Sequence, residues 1–434
     1  MLVRIEPGKL HGKVSAPPSK SYAQRLIIGA ALSDGESVIK GISNSEDMGA
    51  ALDCISALGA GYELSGDTVR ISGRGVLSGE SSRDLKSAIS NRADGKEAGS
   101  AYRRNLKEEE ENDNVVIFPC RESGNTLRFF IPISLCFFDR VRFSGSKRLI
   151  ERGISVYEEI FEKKGLSFDI RETSIDIKGK LEGGEYRVRG DVSSQFITGL
   201  LFALPLLDKD SIIELIPPVE SRAYIDITID VLKSFGIAIS EPSRNRFYIK
   251  GGQRYKAQEV SVEGDWSNAA FLFAFNALGH ELLIEGLNNE SIQGDRVCVE
   301  LFKRLDEPEP VIDISGCPDL GPVLFAVSGA KHGASFTGTR RLRIKESDRI
   351  SAMAEELEKL GITMEASENR VRVYAGALKR PSGKLYSHND HRIVMALSVL
   401  LSLTGGEIEE VQAVRKTWPD FFDTMKTLSM DLSF

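Results

Sequence analysis

The chain is poor in cysteine, histidine and tryptophan, short of basic charge, and without a long apolar run. Its 434 residues hold 5 cysteines, 5 histidines and 2 tryptophans. Cys54, Cys120, Cys136, Cys298 and Cys317 form no CxxC pair and no ligand-type spacing, which argues against a thiolate metal site or a disulfide framework and predicts reduced thiols. The longest apolar stretches, such as 196–207, fall short of a bilayer span, and that one contains Pro205. Met1-Leu2-Val3-Arg4-Ile5 opens in strand-like alternation rather than as a leader, so a cytoplasmic protein is expected. With 56 Lys and Arg against 63 Asp and Glu, the net charge is −7, which argues against bulk nucleic-acid binding. Any anion site must be basic only locally.

What is present is a repeat. Six polar openings each lead into an apolar run of helix length: Ser19-Lys20-Ser21, Ser123-Gly124-Asn125-Thr126, Ser193-Ser194-Gln195, Trp266-Ser267-Asn268, Asp319-Leu320-Gly321 and Asp390-His391-Arg392. They recur at a spacing of roughly 70 residues, with one long step and one short. First helices such as 22–32, 271–278 and 393–403 end near glycine and lead into a strand, then an amphipathic helix such as 47–58, 155–164, 225–235 or 348–360 follows, then alternating strands. A unit is thus two helices and four strands. The fourth unit is cut short because 299–305 runs into 311–314 without a hairpin. The long step comes from the acidic, apolar-poor stretch 81–114, expected to be a loop or disordered insertion.

This length exceeds one ordinary core, and six units divide naturally into two α/β domains of three. The expected domains are 17–262 and 1–16 plus 263–434, with the first strand joining the C-terminal one. Helix starts present unpaired N–H groups and partial positive charge, so a fold that repeats them can aim several at one anion.

The residues at these starts fit that reading. Pro17-Pro18-Ser19-Lys20-Ser21 with Arg25 makes a stiff turn into a helix carrying two cations, a plausible phosphate grip, although Pro-Ser turns also serve simply as caps. Gly124 lets a ligand approach the backbone. Leu342-Arg343-Ile344-Lys345-Glu346-Ser347-Asp348-Arg349 is the densest charged stretch. Lys345 and Arg349 share a face if the helix has begun there, and alone the stretch reads as a surface charge lattice. Asp319 after Pro318 places a carboxylate at a helix start, either a resting base or an N-cap. His391 is expected to be packed and satisfied.

Together, Pro18-Ser19-Lys20-Ser21 with Arg25, Glu122-Ser123-Gly124, Ser193-Ser194-Gln195, LRIKESDR at 342–349, Asp390-His391-Arg392 and Lys416-Thr417-Trp418-Pro419-Asp420 resemble, in order, the signature blocks of the EPSP synthase family. The resemblance implies two domains, each of three βαβαββ-type units, with helices gathered toward a central cleft. It implies transfer of the enolpyruvyl group of phosphoenolpyruvate to the 5-hydroxyl of shikimate 3-phosphate, with no metal or cofactor. By the same resemblance Lys20, Ser21, Arg25, Ser193, Ser194, Ser221 and Lys345 would hold shikimate 3-phosphate. Gly124, Arg152 and Lys416 would hold the phosphate of phosphoenolpyruvate, Arg349 and Arg392 its carboxylate, and Lys20 and Gln195 would touch both substrates. Asp319 would be the base, Glu346 the proton donor to the methylene carbon, and Lys20 an aid to phosphate departure. Small-molecule substrates, no nucleic-acid or membrane partner, and a monomer are expected.

Asn125 departs from the family's usual Thr, Arg121 from a small residue, and Trp418 from Phe. Two alternatives are weighed against this reading, one sharing the fold and one, from a different class, built from related units. A UDP-N-acetylglucosamine enolpyruvyl transferase would carry a reactive Cys before Arg152, where 145–151 has none. An RNA 3′-phosphate cyclase would show a His nucleophile and a nucleotide site, and neither is evident.

Overall fold

The computed structural model describes residues 1–77 and 115–434, so the expected loop over 81–114 lies outside the described residues. Among the described residues there are five four-stranded sheets and one two-stranded sheet. Their wiring is shared. In the sheet built from Val116–Arg121, Arg140–Gly145, Ser174–Lys178 and Ser167–Ile170, the first pair is parallel and the next two are antiparallel. A helix, Gly124–Ser134, crosses over the parallel pair, as a parallel connection requires. The sheet Glu185–Arg189, Ser211–Ile216, Arg246–Ile249 and Ile239–Ser243 repeats the pattern, as do the sheets containing Glu36–Lys40 and Ala334–Thr337.

The two-stranded sheet accounts for the short step, and the sixth sheet for the place of the first strand. Glu281–Glu285 pairs only with His11–Ser15, which is the fourth unit without its hairpin. Leu2–Ile5 pairs antiparallel with Gly406–Glu409 and with Leu432–Ser433, so the first strand completes the last sheet. Conversely Glu259–Ser261 completes the first sheet by pairing with Glu36–Lys40. Strands such as Glu185–Arg189 alternate exposed and buried residues, the mark of a sheet wet on one face.

The helices that begin at the polar openings lie innermost. Lys20–Leu32, Ser194–Ala203 and His391–Thr404 are buried nearly all round, whereas Arg349–Lys359 buries one stripe. Two apolar cores result. One runs from Ala23 to Tyr255; the other joins Val3, Ile5, Leu10 and Val14 to residues between Trp266 and Met430. Within the first, Gly199 lets two of these helices touch: a Cβ there would stand 2.4 Å from Tyr157 Oη and 2.6 Å from Arg128 O. That close approach brings Arg128 beside Gln195. No helix among the described residues is long and apolar enough to cross a membrane.

Candidate active site between the two cores

Five of the six inner helices begin with an oxygen-bearing cap. Ser19, Ser123, Ser193, Asp265 and Asp390 accept from the backbone N–H groups of Tyr22, Thr126, Gln195, Asn268 and Arg392 respectively. Ser193 and Asp390 therefore spend a side-chain oxygen on their own helix. Asp319 differs. It lies in the 3₁₀ turn Pro318–Leu320 ahead of the helix Gly321–Ala330, which has no side-chain cap, so its carboxylate is free for other partners.

Those partners are cations. Asp319 Oδ1 lies 3.1 Å from Lys345 Nζ and 2.9 Å from Arg349 Nη1, and Oδ2 lies 3.3 Å from Arg392 Nη2. Burial pushes the Asp319 carboxyl up, but Arg392, Lys345 and Arg349 outweigh it and hold it well below the usual range. Glu346 lies 2.7 Å from Arg349 Nη2 and 3.8 Å from Arg152 Nη1. Burial likewise pushes Glu346 up, and Arg349, Arg152, His391 and Lys345 bring it well below. Arg349, 1% exposed, also binds Asp390 at 2.8 Å and thus holds three carboxylates.

Lys345 and Arg349 are not neighbours on one helix. Asp348 accepts from Ile350 N and Ser351 N and takes an extended backbone, so the helix begins at Arg349 and Lys345 stays outside it. The two cations meet at Asp319 instead of along a helix face.

The other core supplies a second group. Lys20 Nζ pairs with Asp47 at 2.8 Å; burial pulls its pKa down, while Asp47 and Glu346 carry it above its ordinary value. Arg25 donates to Thr228 Oγ1 at 2.9 Å, Ser21 O at 2.8 Å, Thr198 Oγ1 and Tyr224 O, all neutral, and burial lowers it to about 10. Arg128 donates to Gln195 Oε1 at 2.6 Å, and burial together with Arg152 lowers it to about 9. Gln195 reaches Asn125, which reaches Gln24, at 2.5 and 2.6 Å. A Cβ on Gly124 would stand 2.9 Å from Arg152 and 3.0 Å from Arg128, so glycine is what admits both guanidiniums to this helix start.

Side chains cross between the cores around these groups. Arg148 donates to Lys345 O at 3.1 Å and Glu346 O at 3.3 Å. Lys416 Nζ lies 2.6 Å from Glu122 and donates to Asn389 O at 2.7 Å. Ser221, in a left-handed turn, accepts from Arg341 at 2.9 Å. Lys20 N donates to Asp265 at 3.0 Å. The structure thus brings Lys20, Arg152, Lys345, Glu346, Arg349, Arg392 and Asp319 into one network. Gly124 and Gln195 join it through Arg152 and Arg128, and Arg25 and Ser21 through Tyr224, whose hydroxyl lies 3.3 Å from Asp319. Among the described residues Ser193 and Ser194 reach it through Gln195, and Ser221 through Arg341 and through Tyr224 N, which donates to Ser221 O at 3.1 Å.

Sequence reasoning missed Arg128, Asp47, Asp265 and Arg341. Arg128 was legible as a lone cation in an apolar run four residues past Gly124. His391 is packed, at 2% exposed, but not satisfied: neither ring nitrogen has a hydrogen-bond partner. Burial holds its pKa well below the ordinary value, so a neutral ring lies among the charges of Asp390, Lys20, Arg392 and Glu346.

Comparison with known proteins bears on this arrangement. The family described as EPSP synthase (3-phosphoshikimate 1-carboxyvinyltransferase) matches residues 5–93 and 83–425. The chain belongs to the EPSP synthase family. A 3-phosphoshikimate 1-carboxyvinyltransferase of Clostridium perfringens is 38% identical over 449 residues, covering 98% of each chain. One from Clostridioides difficile is 38% identical over 448 residues, covering 98% of this chain and 97% of its own. Among solved structures, the EPSP synthase of Acinetobacter baumannii aligns over 100% of both chains with a TM-score of 0.74 at 21% identity. The enolpyruvyl transferase NikO of Streptomyces tendae aligns over 100% of this chain and 98% of its own, with a TM-score of 0.72 at 15% identity. These two establish the enolpyruvyl transferase fold, in agreement with the α/β repeats.

Proposed function

We propose that this EPSP synthase family protein transfers the enolpyruvyl group of phosphoenolpyruvate to the 5-hydroxyl of shikimate 3-phosphate, releasing phosphate. The observation that carries the reading is the pair of carboxylates, Asp319 and Glu346, held by one guanidinium, that of Arg349, among cations drawn from both cores. Two polyanionic reactants need such a place, and an addition–elimination needs two acid–base groups.

In this reading Arg25, Ser21, Ser193, Ser194, Ser221 and Lys345 hold shikimate 3-phosphate. Arg152, Lys416 and the open backbone at Gly124 take the phosphate of phosphoenolpyruvate, and Arg349 and Arg392 fork onto its carboxylate. Lys20 and Gln195 lie between the two. Asp319 takes the proton as the hydroxyl oxygen bonds to the enol carbon. Glu346 gives a proton to the methylene carbon and recovers it as phosphate leaves, with Lys20 balancing the leaving charge. Glu346 stays ionised while Arg349 and Arg152 face it without a substrate anion between them. Substrate anions that neutralise these two cations raise its proton affinity and let it act as an acid.

The enclosing domains are 17–262 and 1–16 with 263–434, and the enzyme is read as a cytoplasmic monomer. The deciding assay is phosphate release from phosphoenolpyruvate. Release that requires shikimate 3-phosphate is expected. Release that requires UDP-N-acetylglucosamine, or neither acceptor, would overturn the assignment.

A further inference from the structure

Two oxygens lie behind Asp319 Oδ2. The Tyr224 hydroxyl lies 3.3 Å from Asp319 Oδ2 and 3.1 Å from Asp295 Oδ2. A phenol carries one proton, so between two carboxylates one contact sets lone pairs against each other unless a further proton enters it. Asp295 occupies the 3₁₀ turn Gly294–Val297 and is 4% exposed, and besides Tyr224 its carboxylate is drawn to the Ser267 hydroxyl.

The groups facing Asp295 come from several elements. They are Tyr224 of the helix Arg222–Ser234, Asp319 of the turn Pro318–Leu320 and Cys317 just ahead of it, Arg392, Asp265 and Ser267, and Cys298. Among the described residues no cation forms an ion pair with Asp295, whereas Asp319 pairs with three.

We propose that Asp295 is the terminal proton acceptor for the reaction, receiving through Tyr224 the proton that Asp319 takes from the attacking hydroxyl. This rests on the role given to Asp319 above. A carboxylate facing three cations is a weak base and gives a captured proton up readily. Burial and the like charges of Asp319 and Asp265 raise Asp295 to about 6 against the pull of Arg392 and Ser267. The proton therefore runs downhill. The substrate O–H bond breaks as its oxygen bonds to carbon, and the proton reaches Asp319. From Oδ2 it passes to Tyr224 Oη while the phenol proton passes to Asp295 Oδ2. Asp319 is again a carboxylate, Tyr224 again a phenol, and the negative charge of Asp295 is spent. Return over the same oxygens, to the departing phosphate, resets the site. Burial, Asp295 and Asp319 keep Tyr224 neutral throughout.

Asp295→Asn preserves shape but accepts no proton. Its kcat is expected to fall about 10- to 100-fold, below the full loss of a general base, with KM for shikimate 3-phosphate within about threefold. In the parent enzyme kcat should decline as pH drops through about 6, because a protonated Asp295 cannot accept; the Asn variant should lack that limb. Tyr224→Phe removes the middle oxygen and should act alike. Parental kcat with the acid limb intact in either variant overturns the relay. If Asp295→Asn fails to fold, as read by thermal unfolding, Tyr224→Phe decides alone. Asp319→Asn separates the two ideas: parental turnover there removes Asp319 as base and the relay with it, whereas an inactive Asp319→Asn beside an unimpaired Asp295→Asn removes the relay only.

Discussion

The two sides of the site treat buried arginine in opposite ways. On the N-terminal side Arg25 and Arg128 are fully enclosed yet bond only to hydroxyls, carbonyls and an amide, and burial lowers both. On the C-terminal side Arg349 and Arg392 bond to carboxylates, which overcome burial and raise both. The first arrangement leaves positive charge uncompensated, a cost recovered when a polyanion arrives. The second uses its cations to keep Asp319, Glu346 and Asp390 ionised and fixed. The N-terminal pair is built to meet an anion, whereas the C-terminal pair also holds acids in place.

Removing a cation from each side tests the contrast. Arg349→Met leaves Asp390, fully buried, without its guanidinium partner and should cost about 3–5 kcal/mol of stability, measured by urea unfolding. Glu346→Gln should leave substrate binding intact and lower turnover at least about 100-fold, the scale of one lost acid–base group. Near-normal turnover would remove Glu346 from that role. Arg25→Met should change stability by only about 1 kcal/mol, because it removes a desolvated charge and its partners Thr198 and Thr228 still bond each other at 2.8 Å. Its effect should appear in weakened binding of shikimate 3-phosphate. A large stability loss for Arg25→Met would erase the distinction between the sides.

The repeats were legible because each unit carries its own punctuation: a polar opening, a glycine after the helix, alternating strands. Even the short unit announced itself through the missing hairpin after Val299, and the structure gives it a two-stranded sheet. The charged stretch at 342–349 was legible as chemistry but not as geometry, since a cap at Asp348 places Lys345 outside the helix. Arg128 stood in an apolar run where a single cation carries no periodic signal. Asp295 sat in a loop whose burial depends on three other elements packing over it. His391 read as satisfied because the sequence pattern signals burial, whereas whether a buried ring finds partners depends on the packing of distant elements.

A smaller difference lies behind the C-terminal side, where a histidine rather than an arginine meets a buried acid. His388 and Asn389 both have left-handed backbone, at φ 51 and 52°, and Asn389 O receives Lys416 at 2.7 Å. His388 Nε2 lies 3.0 Å from Glu356, which also takes both contacts from Lys359 at 2.8 and 2.9 Å and Tyr386 N at 3.0 Å. Glu355, Glu356 and His388 are spaced as metal donors could be, but the Lys359 ammonium already supplies the positive charge to Glu356. The bond to Glu356 raises the His388 pKa above its ordinary 6.5, against burial. A raised folded value means the stabilisation is complete below the unfolded pKa and disappears as pH climbs through the folded one. His388→Asn keeps a residue that tolerates positive φ, so backbone strain stays nearly constant and the charge effect is isolated. The variant should be less stable by about 1 kcal/mol below about pH 6, with the deficit shrinking toward the loss of a neutral hydrogen bond as pH rises. A deficit independent of pH would mean that His388 holds the turn by shape alone, and that Glu356 draws its charge pairing from Lys359.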